Sequence, residues 1–335
     1  MQKQLSRIAH KIQKSFLCIF SFFGDAKKST VVFTKPYKTV SQQIQCLRFK
    51  NMVIDVPLGD AERVVTAITY YRFSGYALPF LDRKTDRYVG NVAFSDILAL
   101  YKFDKGLRSL MSEALAAVEV TFRTIVANEF SNKYGPLGYL DAKNFESIKA
   151  HKNALSGMRK EFMRSQQPCA KHFRAKYNDP PLWAAVDVTT FGTIGRLLGA
   201  MRKADQNLIS THYGMRGDFL VSYIHHASVL RNLCAHHCRV FDFPYERLVK
   251  APSNYIFRPL KIWLNAKINI QPGRPFLYQA ALVYHLLQAT EVNVFDRNRW
   301  KAAICQHFNS LPISLASQVK SYIQLPNNPA ASPLW

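Results

Sequence analysis

Seven consecutive residues, Arg231-Asn232-Leu233-Cys234-Ala235-His236-His237, carry side chains suited to binding and cleaving a phosphodiester. RNA brings its own nucleophile, the 2′-hydroxyl. A histidine titrating near neutral pH can take that proton or protonate the leaving oxygen. An arginine can grip the scissile phosphate and stabilise the charge that builds in the transition state. This chemistry needs no cofactor and no metal. If the segment is helical, Arg231 and His236 are separated by about 7.5 Å of rise and roughly 140° around the axis, so they meet only across a cleft beside the helix. Asn232 and His236 are four apart and share a face, from which Asn232 can orient the imidazole; His237 points elsewhere. One chain supplies one Arg–His set. Two chains side by side supply a composite site, which makes a homodimer the natural expectation.

Three other roles fit the same seven residues. The histidines can be structural groups of a core or a helix end. Cys234, His236, His237 and Cys238, with His225 or His226, can be read as zinc ligands, although four candidates crowd one helix and face different ways. The cluster can also bind phosphate without cutting it.

The rest of the chain has to position this cluster. The 335 residues are 48% apolar, enough for a sizeable core. Lys and Arg number 45 against 22 Asp and Glu, a formal charge of +23. Such an excess repels itself and favours a polyanionic partner, with nucleic acid fitting best because Lys and Arg displace its counterions. Six cysteines, at 18, 46, 169, 234, 238 and 305, form no disulfide framework and point to a reducing cytoplasm. Residues 1–33 read as a basic extension; within 1–50 there are ten Lys or Arg and one acid, Asp25. Its apolar run Phe16–Phe23 mimics a signal peptide, but no small-residue cleavage site follows. It is also shorter than the about 20 residues a spanning helix needs. A basic amphipathic helix packed on the body or touching a membrane surface is expected, without stable membrane insertion.

Hydrophobic periodicity predicts helices over about 39–51, 60–71 and 94–133. Tyr70–Tyr76, an aromatic block around Gly75, reads as a packed helix end and turn, with an RNA-stacking surface as the alternative, and 82–92 as a hairpin or loop. Two acid–arginine pairs in the long helix, Asp104/Arg108 and Glu119/Arg123, are spaced for i,i+4 ion pairs that fix the helix surface or its neighbours. Residues 141–179 suggest two amphipathic helices with an exposed positive face. Further helices are expected over Trp183–Val188, Phe191–Met201, about 205–212 and about 218–240, the last carrying the cluster and ended by Phe243-Pro244. Beyond lie helices near 258–269, 274–290, 295–309 and 313–323. The class is all-α. The organisation is read as the extension 1–33, a helical domain over 34–250, a C-terminal helical region over 251–324 and a flexible tail over 325–335.

Six stretches, in order, resemble the Abi-like proteins of bacterial abortive phage infection. They are Lys35-Pro36 with Gln42-Gln43 and Leu47; Tyr70 through Phe80; Tyr101 through Arg108 with Val118-Glu119 through Arg123; Tyr134-Gly135-Pro136; Pro181-Leu182-Trp183 with Phe191-Gly192-Thr193; and Arg231 through His237. The last is similar to the arginine–four-residues–histidine motif of HEPN proteins, a group of helical RNases and RNA-binding domains. The resemblance spans Lys35 to about Asp242. It implies a HEPN-like helical bundle with added N- and C-terminal helices, often dimeric, with the motif at the dimer cleft. It also implies a phage-defence endoribonuclease in which Arg231 is the phosphate clamp, His236 the acid/base group, and Asn232 and His237 support them. RNA, as substrate or as a bound noncoding RNA, is the implied partner, with an antitoxin as a further candidate. A non-catalytic RNA-binding or partner-sensing module is the alternative. The flank Arg239-Val240-Phe241-Asp242-Phe243 departs from the aromatic–asparagine–arginine continuation usual in that family.

Overall fold

Between Phe94 and Tyr134, apolar side chains return every three or four residues without a proline or a mid-helix break. The segment forms one helix of 41 residues, roughly 60 Å long, around which the others are arranged. The computed structural model describes residues 36–243, 276–323 and 325–332. The expectations for 1–33, including Phe16–Phe23, and for a helix near 258–269 lie outside the described residues.

In chain order the helices are α1 (Val40–Phe49), α2 (Leu58–Ile68), α3 (Tyr70–Tyr76), the long α4 (Phe94–Tyr134), α5 (Ile148–Arg164), α6 (Pro168–Lys176), α7 (Leu182–Val188), α8 (Phe191–Ala200), α9 (Lys203–Thr211), α10 (Gly217–Ala235), α11 (Phe276–Leu286), α12 (Arg297–His307) and α13 (Ile313–Tyr322). The polar stretch after α3 is a hairpin of β1 (Leu81–Asp82) and β2 (Arg87–Tyr88), antiparallel, with Leu81 opposite Tyr88. These are the only strands among the described residues, and the class is all-α as the periodicity predicts. No helix among them is long and apolar enough to cross a membrane.

The buried face of α4, including Phe94, Ile97, Leu100, Leu107, Met111, Leu115, Phe122 and Phe130, meets α3, α7, α9, α10, α11 and α12. The resulting apolar core is continuous from Ile44 on α1 to Val319 on α13. The C-terminal helices are tied to α4 by polar bonds as well: Trp300 Nε1 donates to the Leu110 carbonyl at 2.8 Å, and the Thr121 and Thr290 hydroxyls lie 3.0 Å apart. At Gly106 the His307 ring lies flat against α4, where a Cβ would come within 2.3 Å of it, so the crossing of α12 depends on that glycine. Leu325, beyond α13, is buried as well.

Two boundaries differ from the periodicity reading. The aromatic block is a helix in its own right, because the break falls at Thr69, whose φ of 65° is a conformation that interrupts any helix. Phe73 and Tyr76 are fully buried there, with Phe73 stacked on Phe94 at 4.3 Å, so the block is chiefly core. The second difference is the end of α10. It stops at Ala235, five residues before the expected limit, and the stop is the cluster itself.

Candidate functional site

The last turn of α10 closes in a Schellman cap. His236 ends the helix, with its N–H on the Asn232 carbonyl at 2.9 Å. His237 follows with φ 55°, and its N–H donates to the Cys234 carbonyl at 3.0 Å while that of Cys238 reaches back to Leu233 at 2.8 Å. This six-to-one plus five-to-two pattern satisfies the orphaned carbonyls of a helix end. Glycine is the usual residue at the left-handed position because a Cβ there is strained. A histidine held in that conformation is uncommon, and strain of this kind gathers where a side chain is needed for something other than stability. The helical relation of Asn232 to His236 therefore holds only up to the cap. His236 and His237 are both exposed.

Three side chains from earlier in the chain, Arg72, Asp104 and Arg108, clamp this turn and its flank. Arg72 of α3 donates to the His237 carbonyl, and Arg108 of α4 reaches the Cys238 carbonyl at 3.4 Å. Asp104, fully buried, accepts from the backbone N–H groups of Val240 at 3.1 Å and Phe241 at 2.9 Å, from the Tyr76 hydroxyl at 2.6 Å and from Arg108. Burial pushes the Asp104 carboxyl up, opposed by the Arg108 charge and by these donors. Arg239 donates to the Gly75 carbonyl and pairs with Asp242 at 2.6 Å. The flank that departs from the family pattern is thus a packed strut: Arg239 and Asp242 neutralise each other, and Phe241 stacks on Tyr76 at 6.0 Å.

Arg231 sits one turn before the cap with its side chain 42% exposed. Its Nε donates to Glu119 at 3.2 Å, and its Nη1 to the Asn232 Oδ1 at 3.3 Å. Glu119 is itself nearly buried, and its other oxygen takes Arg123. Arg123 in turn donates to the carbonyls of Thr189 at 2.8 Å and Asp187 at 3.3 Å. One carboxylate therefore holds two guanidinium groups, leaving the cluster with net positive charge. An arginine has five N–H donors, and Glu119 and Asn232 engage the Nε and Nη1 sides of Arg231. Its exposed edge remains turned to solvent, a geometry suited to an anion. Here Asn232 bonds to the arginine.

The structure brings Arg231, Asn232, His236 and His237 onto the exposed end of one helix. It separates the residues of the zinc reading. Cys234 faces the core, where burial pushes its thiol up to about 12. His226 is buried against Gln279, and burial pulls its imidazole down to about 4. His225, His236 and His237 are exposed. Among the described residues no three His, Cys, Asp or Glu side chains are grouped as a metal would require.

Sequence reasoning overlooked Arg72 and Arg239, and gave Asp104, Arg108 and Glu119 only a role on a helix surface or at its neighbours. A signal was present for the acids: Asp104 and Glu119 fall in phase with the apolar stripe of α4, between Leu100 and Leu107 and beside Val118. An acid at a core position must have a partner.

The tyrosine-rich block, both pairs of the long helix and the final motif, far apart in sequence, converge on the C-terminal end of α10. No curated protein and no solved structure matches the chain. A model of the Abi-like protein family matches residues 63–242, more than half of the chain and the span that contains every clamp just described. The chain belongs to the Abi-like family of abortive-infection proteins.

Proposed function

We propose that this protein is an RNA-binding HEPN-type endoribonuclease of phage defence that works without a metal. The observation that carries the reading is Arg231, charge-compensated by Glu119 yet 42% exposed, beside two exposed histidines on a turn held in a strained conformation. Arg231 binds the scissile phosphate. His236 accepts the proton of the 2′-hydroxyl, whose oxygen attacks phosphorus. The bond to the 5′-oxygen breaks, leaving a cyclic phosphate, and that oxygen takes up a proton from a second acid. A second copy of the chain supplies that acid, so the working form is a homodimer with one composite site. RNA is the partner, as substrate or as a bound noncoding RNA; an antitoxin and a cytoplasmic location complete the reading.

The test is His236→Ala in the purified protein with end-labelled RNA. Cleavage disappears while helicity and RNA affinity stay at wild-type levels; a variant that cuts at the wild-type rate removes His236 from the mechanism. Light scattering checks the dimer, and a strict monomer with full activity excludes a composite site. A second reading, a module that binds RNA without cutting it, draws on the engagement of Arg231 by Glu119. It predicts that wild type and His236→Ala leave RNA equally intact.

A further inference from the structure

We infer that the outer face of α5 and α6, continued by the exposed edge of α7, is the docking surface that leads a single RNA strand to Arg231. The inference rests on the RNA reading above and adds where the strand lies. Segment 148–177 holds eight Lys or Arg and a single acid, Glu161. That acid is not available to neutralise the face, since it caps α8: its oxygens accept from the Thr190 N–H at 2.8 Å, the Thr190 hydroxyl at 3.1 Å and the Thr193 hydroxyl at 2.9 Å. Helix α5 is sharply two-sided. His151, Ala154, Met158 and Phe162 are buried, whereas Lys149, Lys152, Lys160 and Arg164 are exposed. Seventeen residues give this side a length of roughly 25 Å.

The face continues without a hinge. Arg174 of α6 donates to the carbonyls of Phe162 at 2.5 Å and Ser165 at 2.8 Å, locking α6 onto the end of α5, with Lys171 and Lys176 exposed. Two large rings follow: Tyr177, 57% exposed, directly after α6, and Trp183, 51% exposed, in the first turn of α7. A run of positive side chains leading into two exposed rings suits an unpaired strand, charges for its phosphates and flat faces for its bases. A duplex hides its bases and has no use for the rings.

The far end of this surface adjoins the candidate site. Asp187, one turn beyond Trp183, and Thr189 accept from Arg123 through their carbonyls, and Arg123 shares Glu119 with Arg231. Thr190 of the same junction is bonded to Glu161 on α5. Two acids lie along this edge: Asp179, paired with Arg159 of α5 at 3.4 Å, and the exposed Asp187. A lipid surface fits less well, because the apolar side of α5 is spent in the core and only Ile148 and Met163 are exposed apolar side chains on its outer side.

The experiment measures binding of a fluorescent 20-nucleotide single strand, the same sequence as a duplex, and vesicles containing 30% anionic lipid. It compares the full chain with three variants: Lys149→Ala/Lys152→Ala/Lys160→Ala/Arg164→Ala; Tyr177→Ala/Trp183→Ala; and a charge control on another face, Arg83→Ala/Lys84→Ala/Lys102→Ala/Lys105→Ala. Circular dichroism and thermal melts verify folding, which exposed substitutions leave intact. For the first variant we expect single-strand affinity about a hundredfold weaker at 0.1 M salt, with a salt slope lower by about 3. The ring variant loses about tenfold per base no longer stacked and keeps its salt slope. The charge control stays within about threefold of wild type once general electrostatics are allowed for. Equal loss in the first variant and the charge control overturns the proposal, as does a duplex bound as tightly as the single strand, or vesicle binding that depends on α5 while RNA binding does not. Wild type that binds no RNA removes the RNA reading and this surface together. Wild type that binds and cuts RNA, with the α5 variant unchanged, removes only the surface.

Discussion

Helix α4 carries the same local pattern twice, an acid followed four residues later by an arginine, and the two copies do different work. Asp104 and Arg108 are sealed: both are buried, and every direction around the carboxylate is filled by Tyr76, two backbone N–H groups and the guanidinium. Glu119 and Arg123 are open on one side, because the second oxygen of Glu119 takes an arginine 112 residues further on whose outer edge faces solvent. A closed pair fixes geometry. An open one holds a charge in place while leaving it able to bind something else. The difference lies in what the surrounding helices bring, since the spacing is identical.

The comparison breaks most visibly at Asp104. Asp104→Ala strands Arg108 in the core and leaves two N–H groups without an acceptor, so urea unfolding should show a loss of about 3–5 kcal/mol; a cost under about 1 kcal/mol means the sealed pair is no strut. His226 gives a pH-dependent contrast of nearly the same size. The unfolded imidazole takes up a proton near pH 6.5 and the folded one only near pH 4. Protonation therefore favours the unfolded chain: the stability is fully present above pH 6.5 and drains away as the pH falls towards 4, by about 3 kcal/mol in all. Thermal melts at pH 7.5 and 5 should show wild type losing more than His226→Gln; identical pH profiles refute the assignment.

At the open pair, Glu119→Gln should cost only about 1–2 kcal/mol, because Arg231 retains access to water. Under the proposed RNase reading its larger effect is on function: cleavage should slow by about tenfold to a hundredfold as Arg231 loses its anchor, with Glu119→Asp recovering part of it. If Glu119→Gln destabilises as much as Asp104→Ala while cleavage is unaffected, the distinction between the two pairs is wrong. The smallest effect is at the cap. His237→Gly relieves a left-handed residue and should raise stability by about 0.5–1 kcal/mol in the same urea titration, while lowering cleavage if the side chain supports His236. A fall in stability shows that the imidazole itself holds the turn.

Much of the architecture is legible in the sequence, for a definite reason. The stripe Leu107, Leu115, Val118, Phe122 states the period of α4 directly, and Gly135 with φ 77° ends it where the sequence places a Gly-Pro break. The short elements are harder. Thr69 is neither Gly nor Pro, yet it takes φ 65° and caps α3 by accepting the Arg72 N–H on its hydroxyl at 3.3 Å, so α2 and α3 read as one helix running into a turn. At the end of α10, Phe243-Pro244 is the conspicuous stop, but the operative one is a histidine in the role usually taken by glycine. The residue types of the site are visible in Arg231 through His237. Their supports are not, because Arg72, Asp104 and Glu119 act on partners more than 100 residues away, and no local spacing encodes that distance.

The bond from Arg72 to the His237 carbonyl joins positions 165 apart, and those from Asp104 to the flank span 136 and 137. Contacts so distant form late, since a long loop must be closed before any of them contributes. During synthesis the first two thirds of the chain emerge and gather around α4 before the last turn of α10 exists to be clamped. A growing chain therefore acquires Arg231 and His236 before it acquires their geometry. The geometry of the last turn of α10 is thus among the last features of the Abi-like region to be set, although every residue that clamps it was made long before.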